Sequence, residues 1–207
     1  MRKLNKNKVF YLIMGILIII VLVIIGVNAY KDFFKKKEEP TIVKKELDSL
    51  ELYGYTLDDL DTEVYKKYFD ELKEVLNKEE VNEEEYASSV IKLFITDFYT
   101  LENKITSSDF GGLEFVHPDA LDNFKLKAGD TLYNHVKTNL DGKRDQKLPY
   151  VTEVSIKNVE KTTFNEQEAY LVSATWNYKE DLGYQTSASF YLIKNENKLY
   201  IVEESNE

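Results

Sequence analysis

The chain has 207 residues, no cysteine and a formal net charge of −10 at pH 7. Without cysteine it has no disulfide framework, no thiolate metal site and no cysteine nucleophile. The charge is divided unevenly, because residues 1–45 hold 10 basic and 3 acidic residues (+7) whereas the remainder holds 17 and 34 (−17). An acidic body argues against nucleic-acid binding, which requires a basic face to displace counterions.

The strongest pattern near the start is an uncharged run of 22 residues, from Val9 to Tyr30. A helix of this length reaches about 33 Å, enough to cross a bilayer core of about 30 Å. Small residues before Tyr30 loosely fit a signal-peptidase site, but the run is longer than the usual apolar core of a signal peptide, about 7–15 residues. We therefore expect an uncleaved transmembrane helix over 9–30 rather than a cleaved signal peptide.

Basic residues flank this helix on both sides, so the positive-inside rule does not decide its orientation. A short tail, 1–8, followed by a long C-terminal body is the usual layout of a protein with its tail inside and its body outside the cell membrane. Residues 31–48 are charged and interrupted by Pro40, which predicts a juxtamembrane tether whose lysines suit anionic lipid headgroups. Residues 49–207 then form the extracellular domain.

Two amphipathic helices are predicted early in this domain. Apolar residues recur with the helical period between 61 and 78, and Asp61 can cap that helix. A second helix begins near Asn82, with Glu85 three positions later as in a capping box, and it is apolar enough to be the core helix. Before them, 50–57 can form a short strand or an ordered arm. After them, 118–136 predicts one or two short helices broken near Gly129, and 138–149 predicts a loop.

From residue 150 onward the apolar period changes to two. Four such segments (150–164, 168–180, 183–195 and 198–204) are joined by short polar turns, which predicts an antiparallel meander. In the second segment the alternation puts Tyr170, Val172, Ala174 and Trp176 on one face. We predict an α+β fold in which helices pack on a curved four-stranded sheet.

This order of elements, over residues 82–205, resembles the nuclear transport factor two-like (cystatin-like) fold, in which a curved sheet wraps around a long helix. The resemblance implies a cone-shaped domain. A membrane helix before such a domain is similar to the assembly subunit of type IV secretion and conjugation machines. Transpeptidase-associated domains of some penicillin-binding proteins share the fold. Because such folds host many functions, the function has to be argued from particular residues.

Histidine is the first candidate for chemistry, because the chain has only His117 and His135. His117 precedes Pro118, which suits the first position of a helix, and Gly111-Gly112 supply a turn before it. We expect a helix-entry loop; the alternatives are a general base at the mouth of the cone or a binding contact. For His135 we expect a surface or packing role.

Motifs for a metal, a cofactor or a nucleophile are not evident in the sequence. The two histidines are 18 residues apart and belong to no HExxH pattern. "FGGLEF" lacks the Lys-Ser/Thr ending of a phosphate-binding loop, and the aspartates of 57–61 lack the remainder of an EF-hand. A catalytic triad assembles in space and is not visible in sequence, and nothing points to one. We expect no metal, no cofactor and no catalytic activity.

The resemblance also implies a pocket pair and a contact surface. In ketosteroid-isomerase-like relatives an Asp–His or Asp–Tyr pair projects into the cone, which makes Asp97 with Tyr99 candidates. The apolar stripe of the core helix favours Asp97 on its polar side instead. Trp176 is expected to pack under that helix. Six tyrosines lie on or beside strands: Tyr150, Tyr170, Tyr178, Tyr184, Tyr191 and Tyr200. We expect ordinary core and cross-strand packing for them; an outer tyrosine face suited to protein contact is the alternative.

These observations predict a membrane-anchored extracellular scaffold or assembly module without catalytic activity, which binds a protein partner or itself. One alternative is a small-ligand-binding or isomerase-like pocket protein on the same cone fold. Another is a domain of a larger extracellular sensor or transfer apparatus.

Overall fold

The computed structural model describes residues 44–205. The strands are β1 (Glu46–Leu50), β2 (Tyr55–Asp58), β3 (Val151–Phe164), β4 (Gln167–Tyr178), β5 (Ser187–Asn195) and β6 (Lys198–Ser205). The helices are α1 (Glu63–Leu76), α2 (Glu83–Phe98) and α3 (Leu121–Asp130), with 3₁₀ turns at Leu113–Phe115 and Pro118–Ala120. Between residues 44 and 205 no helix is long and apolar enough to cross a membrane. The predicted tail (1–8) and membrane helix (9–30) lie outside these residues.

The domain begins with a hairpin rather than with a single strand or arm. β1 starts at Glu46, inside the range expected to be tether, and pairs antiparallel with β2. The chain reverses because the carbonyl of Leu50 accepts the N–H groups of Tyr53 and Gly54, and Gly54 has a φ of 65°. Glycine adopts this left-handed conformation without the Cβ strain of other residues.

Helix α1 has the predicted apolar stripe but a different cap. Thr62 accepts a hydrogen bond from the N–H of Tyr65 at 3.1 Å, so Thr62 and not Asp61 caps the helix. Asp61 accepts the N–H of Asp58 at 2.6 Å instead and closes the turn before the helix. The buried stripe consists of Tyr65, Tyr68, Phe69, Leu72 and Leu76.

Helix α2 is the core helix, as predicted. Asn82 caps it by accepting the N–H groups of Glu84 and Glu85 at 3.0 and 3.1 Å. The Glu85 carboxylate contacts the ammonium of Lys78 rather than acting as the second half of a capping box. Ten of the sixteen residues of α2 are buried, so the helix is covered on most sides. It packs against α1 and against strands β3 and β4.

The four-stranded sheet has the order β3-β4-β5-β6, with every neighbour antiparallel, and this confirms the predicted α+β meander. The inner face carries the predicted row of buried residues on β4: Tyr170, Val172, Ala174 and Trp176. On β5 the matching inner residues are Ala188, Phe190 and Leu192. Helix α2 covers this face, which places the hydrophobic core between α2 and the sheet.

The predicted loop at 138–149 is held in place by one arginine. The guanidinium of Arg144 donates to the backbone carbonyls of Leu101, Glu102, Lys104 and Lys137 at 2.6–3.4 Å. Three of these carbonyls belong to the loop after α2, and that of Lys137 belongs to the same connection as Arg144. A charged planar donor that satisfies several carbonyls at once fixes loops that have no secondary structure of their own.

The hairpin is attached to the domain through a half-buried carboxylate, that of Glu114. It accepts the N–H and hydroxyl of Thr56 at 3.0 and 3.1 Å, and the hydroxyl of Tyr65 at 2.8 Å. Burial raises the pKa of Glu114 to about 7, although these hydrogen bonds act in the opposite direction. Burial likewise raises the pKa of Asp61 to about 6, against the hydrogen bond from Asp58.

A pH-dependent stability follows from Glu114. Its pKa in the folded state is above the unfolded value of 4.5, so the folded state binds the proton more tightly. The free energy of unfolding should therefore fall as the pH rises from about 4.5 to about 7 and level off above that, and Glu114→Gln should flatten this fall. Urea unfolding at a series of pH values measures it. The control is Glu63→Gln, an exposed carboxylate on α1; equal pH slopes for wild type and Glu114→Gln would contradict the assignment.

Candidate functional site

His117 lies at a helix entry, as the sequence predicted. It caps the 3₁₀ turn Pro118–Ala120, and its Nδ1 accepts the N–H of Asp119 at 3.3 Å. Its own N–H donates to the carbonyl of Ile201 at 2.9 Å, which attaches this loop to the edge of β6. The imidazole stands edge-on to the ring of Tyr200. These contacts give His117 a structural role at the junction of loop and sheet.

The Gly111-Gly112 turn before it packs directly on the last turn of α2. A Cβ at Gly111 would collide with the carbonyl oxygen of Asp97. Gly112 has a φ of 73°, and a Cβ there would lie 2.8 Å from the ring of Phe94. Glycine is required at both positions, because only a backbone without side chains can approach the helix this closely.

Asp97 belongs to this turn and not to a pocket. Its carboxylate forms an ion pair with Lys104, whose side chain is 2% exposed, and accepts the N–H of Gly112 at 2.6 Å. Burial alone would raise the pKa of Asp97, but the Lys104 ammonium and the Gly112 hydrogen bond hold it below the ordinary value. The Asp97 carboxylate therefore faces a buried cation rather than a pocket.

Tyr99 is directed elsewhere, so the implied Asp97–Tyr99 pair does not form. The Tyr99 hydroxyl donates to Glu204 Oε1 at 2.7 Å, and its ring packs 4.6 Å from that of Trp176. Burial and the neighbouring Glu204 raise the pKa of Tyr99 well above its ordinary value. The hydroxyl is therefore a hydrogen-bond donor and not a base.

Trp176 and Tyr178 extend these contacts into a closed aromatic network. The indole N–H of Trp176 donates to the Tyr178 hydroxyl at 2.8 Å, and that hydroxyl donates to the carbonyl of Gln185 at 2.8 Å. The Gln185 amide returns to Glu204 Oε1 at 3.0 Å. Tyr184 packs edge-on against Tyr178. The structure thus brings together four of the predicted contact residues: Tyr99, Trp176, Tyr178 and Tyr184.

A cleft of about 680 Å³ opens beside this network, between α3 and β6. Phe94, Phe98 and Ile201 form its apolar floor, and Phe124 and Lys127 of α3 form part of one wall. Glu203, Glu204 and Gln185 line its other side. Of the predicted candidates, Tyr99 lines the cleft, whereas His117 and Asp97 do not. The cleft has the size of a small-ligand pocket.

The outer face of the sheet carries a strip without charge. Its residues alternate with the buried inner ones on the two central strands: Ala169, Leu171, Ser173 and Thr175 on β4, and Ser187, Ser189, Tyr191 and Ile193 on β5. We call these eight residues the outer strip; Ala169, Ser189 and Ile193 are themselves buried, and among the eight only Ser187 is exposed. A hydrogen bond of 2.7 Å between the hydroxyls of Ser173 and Ser189 shows that they share this face. In a chain with 31% charged residues, eight neighbouring uncharged positions are distinctive.

The strand tyrosines do not form one outer face. Tyr170 is buried on the inner face, and Tyr178 and Tyr184 belong to the network at one end of the sheet. Tyr191 is the one of these that lies in the outer strip, where it packs on Phe164. The strip was missed because serine and threonine do not stand out. Their alternation with buried residues in "LVSAT" and "SASFYLI" is the signal that could have shown it.

Among residues 44–205 no group of three or more His, Asp or Glu side chains is arranged to hold a metal ion. No protein-family model, curated protein or solved structure matches the chain. The function is therefore argued from the sites described above.

The Asp97–Lys104 pair makes a quantitative prediction. Removing one partner of a buried ion pair leaves an unpaired charge and costs about 3–5 kcal/mol. Lys104→Met and Asp97→Asn should each lower the free energy of unfolding by roughly this amount, and the double variant should lose clearly less than their sum. The fluorescence of Trp176, the single tryptophan, reports the unfolding.

The matched control for this cycle is Lys147→Met, which breaks the exposed Lys147–Glu180 pair of 2.7 Å. An exposed pair contributes about 0–1 kcal/mol, so this variant should stay close to wild type. Strict additivity of the two core variants would show that Asp97 and Lys104 are not coupled.

Proposed function

We propose that the chain is a membrane-anchored interaction module without catalytic activity. Residues 9–30 anchor it in the cell membrane as a single-pass helix, with residues 1–8 inside and the α+β domain outside. The uncharged run of residues 9–30 supports the anchor. The outer strip is the observation that carries the proposal, because it gives the domain a surface suited to a protein partner.

The composition of the outer strip supports this role. Centres of protein interfaces are depleted in charged residues relative to the remaining surface and enriched in aromatic ones. The strip has no charged residue, and Tyr191 lies half-buried near its middle. The two flanking residues of the Leu171–Tyr191 row are Glu160 on β3 and Glu203 on β6, so charge begins where the strip ends. An uncharged centre with a charged border is the arrangement of a docking surface.

Tethering gives the mechanism. Confinement beside the bilayer raises the effective concentration of the domain for any partner in the same membrane, so a weak contact can persist. The basic residues between 31 and 45 suit anionic headgroups, whereas the acidic domain is repelled by them.

The cone shape of the nuclear transport factor two-like fold is part of this proposal. The helix–helix–sheet order and the burial of α2 against the inner face of the sheet support the likeness. As in the assembly subunit of type IV secretion and conjugation machines, the proposed membrane helix would precede such a domain. In such a cone the helix fills the interior, which agrees with a binding role on the outside.

A second candidate function is small-ligand binding, or isomerase-like chemistry, in the cleft between α3 and β6. The cleft volume of about 680 Å³ and its aromatic floor favour a ligand with an apolar body. Glu204 at its edge would accept a hydrogen bond from a ligand amine or hydroxyl. The Tyr99 hydroxyl already donates to Glu204, which favours binding over proton abstraction.

The proposed function predicts that a charge in the outer strip abolishes partner binding. The tagged full chain is first shown to remain in alkali-washed membranes, and is then cross-linked in intact membranes and recovered. Thr175→Lys in the strip should lose the cross-linked species, because a lysine facing a partner is desolvated without compensation. The matched control, Thr163→Lys, lies on the opposite face of β3 at an exposed position and should retain them. Equal recovery from both variants would overturn the proposal.

A further inference from the structure

We infer that the cleft between α3 and β6 binds a small organic amine, a ligand with one ammonium group and an apolar body. The inference rests on the second candidate function, ligand binding in this cleft, and names the class of ligand. It is independent of the outer strip, because none of the eight residues of the strip lines the cleft.

The Glu204 carboxylate is held in place at the cleft by one of its two oxygens. Its Oε1 accepts the Tyr99 hydroxyl at 2.7 Å and the Gln185 amide at 3.0 Å. Within residues 44–205 no side chain donates to its Oε2, and Glu204 is exposed where it lines the cleft. A carboxylate whose orientation is already fixed loses little freedom when it accepts another donor. Its second oxygen is thus a preformed acceptor for the N–H of an ammonium group.

An apolar surface for the body of the ligand lines the same cleft. Phe124 on α3, Leu132 after α3 and Val202 on β6 all line it, and each is half-buried. The ring of Phe124 lies 5.0 Å from that of Phe98 and 6.0 Å from that of Phe94, so the core supports it. A ligand that covers these side chains removes their remaining apolar area from water, which stabilises the complex by about 25 cal/mol per Å².

The charges around the cleft favour a cationic ligand over an anionic one. Two carboxylates, Glu203 and Glu204, line its β6 side and one ammonium, Lys127, lines its α3 side, so the lining has one negative charge in excess. A single ligand ammonium balances this charge, whereas a ligand carboxylate would double it. Residues 46–207 carry −17, and their field attracts cations to the domain. Lys127 on the opposite wall disfavours a second cationic group, which favours a monoamine over a polyamine.

Trp176 is placed to report a ligand in the cleft. It is the single tryptophan of the chain and does not line the cleft itself. Its ring lies 4.6 Å from that of Tyr99, which does line the cleft and donates to Glu204. An ammonium that binds Glu204 changes the charge next to Tyr99 and, through it, the surroundings of the indole. Binding should therefore change the fluorescence of Trp176.

Three probes of nearly the same shape test the inference: phenethylamine, phenethyl alcohol and phenylpropionate, which are cationic, neutral and anionic. Each is titrated into the full chain in detergent while the fluorescence of Trp176 is measured. Phenethylamine should bind at least about tenfold more tightly than the alcohol, as one charge-assisted hydrogen bond provides. Phenylpropionate should bind most weakly.

The variants locate this preference at Glu204. Glu204→Gln removes the charge but keeps an oxygen that accepts the Tyr99 hydroxyl, so it should reduce the affinity for phenethylamine to that for the alcohol. Phe124→Ala should weaken the binding of both probes by a similar factor, because it removes a contact to the apolar body. The matched control is Glu168→Gln, an exposed carboxylate on β4 that does not line the cleft, and it should bind as the wild type does.

The other outcomes separate the two claims about the cleft. If the alcohol or phenylpropionate binds as tightly as phenethylamine, the amine inference fails while ligand binding in the cleft stands. The same holds if Glu204→Gln leaves the affinity for phenethylamine unchanged. If no probe gives a saturable change in fluorescence or raises the melting temperature, the inference and the second candidate function fail together. The interaction function is decided separately, by cross-linking of the outer-strip variants.

Discussion

Burial of helix α2 against the inner face of the sheet is the constraint on which the remaining structure depends. Ten of the residues of α2 are buried. The loop after α2 packs against the end of this helix only because the backbone of the loop comes very close to it. Gly111 and Gly112 provide that approach, and Asp97 fixes it through Lys104 and the N–H of Gly112. The segment from Gly111 to His117, which contains one of the two histidines, therefore connects α2 to the next helical turn and is not a catalytic loop. Its polar groups satisfy one another and leave the inner face of the sheet apolar.

The periodic parts of this fold could be predicted from the sequence, and the contacts between distant residues could not. The 3.6-residue and two-residue periods located α1, α2 and the four strands to within a few residues. This works because an element that buries one side carries its apolar residues at a regular spacing. Asp61 and Thr62 are both residue types that commonly cap helices, so the sequence does not indicate which of them caps α1. The Asp97–Lys104 pair and the network from Tyr99 to Glu204 join loops and strands that are far apart in the chain or separated by irregular turns, so no spacing rule indicates them. The outer strip escaped notice because its serines and threonines are individually ordinary.

The two faces of the sheet therefore differ in composition and in what covers them. The inner face is filled by the core and bordered by a satisfied aromatic network, whereas the two central strands of the outer face carry no charged residue between Ala169 and Thr175 and between Ser187 and Ile193. An acidic domain is kept soluble by its charge, and any contact must occur where that charge is interrupted. The outer strip is such an interruption, and it lies on two central strands whose backbone groups are already paired. Side chains alone would then decide the contact, without exposure of a strand edge that would invite aggregation.

The most direct test of this account is the accessibility of the outer strip in its membrane. Thr175→Cys and Thr163→Cys are labelled with a membrane-impermeant maleimide, first in intact membranes and then after dilution into detergent. The account predicts that Thr175→Cys reacts at least several-fold more slowly in membranes than after dilution, while Thr163→Cys reacts at the same rate in both. Equally fast labelling of Thr175→Cys in both states would contradict the claim that the strip is a docking surface.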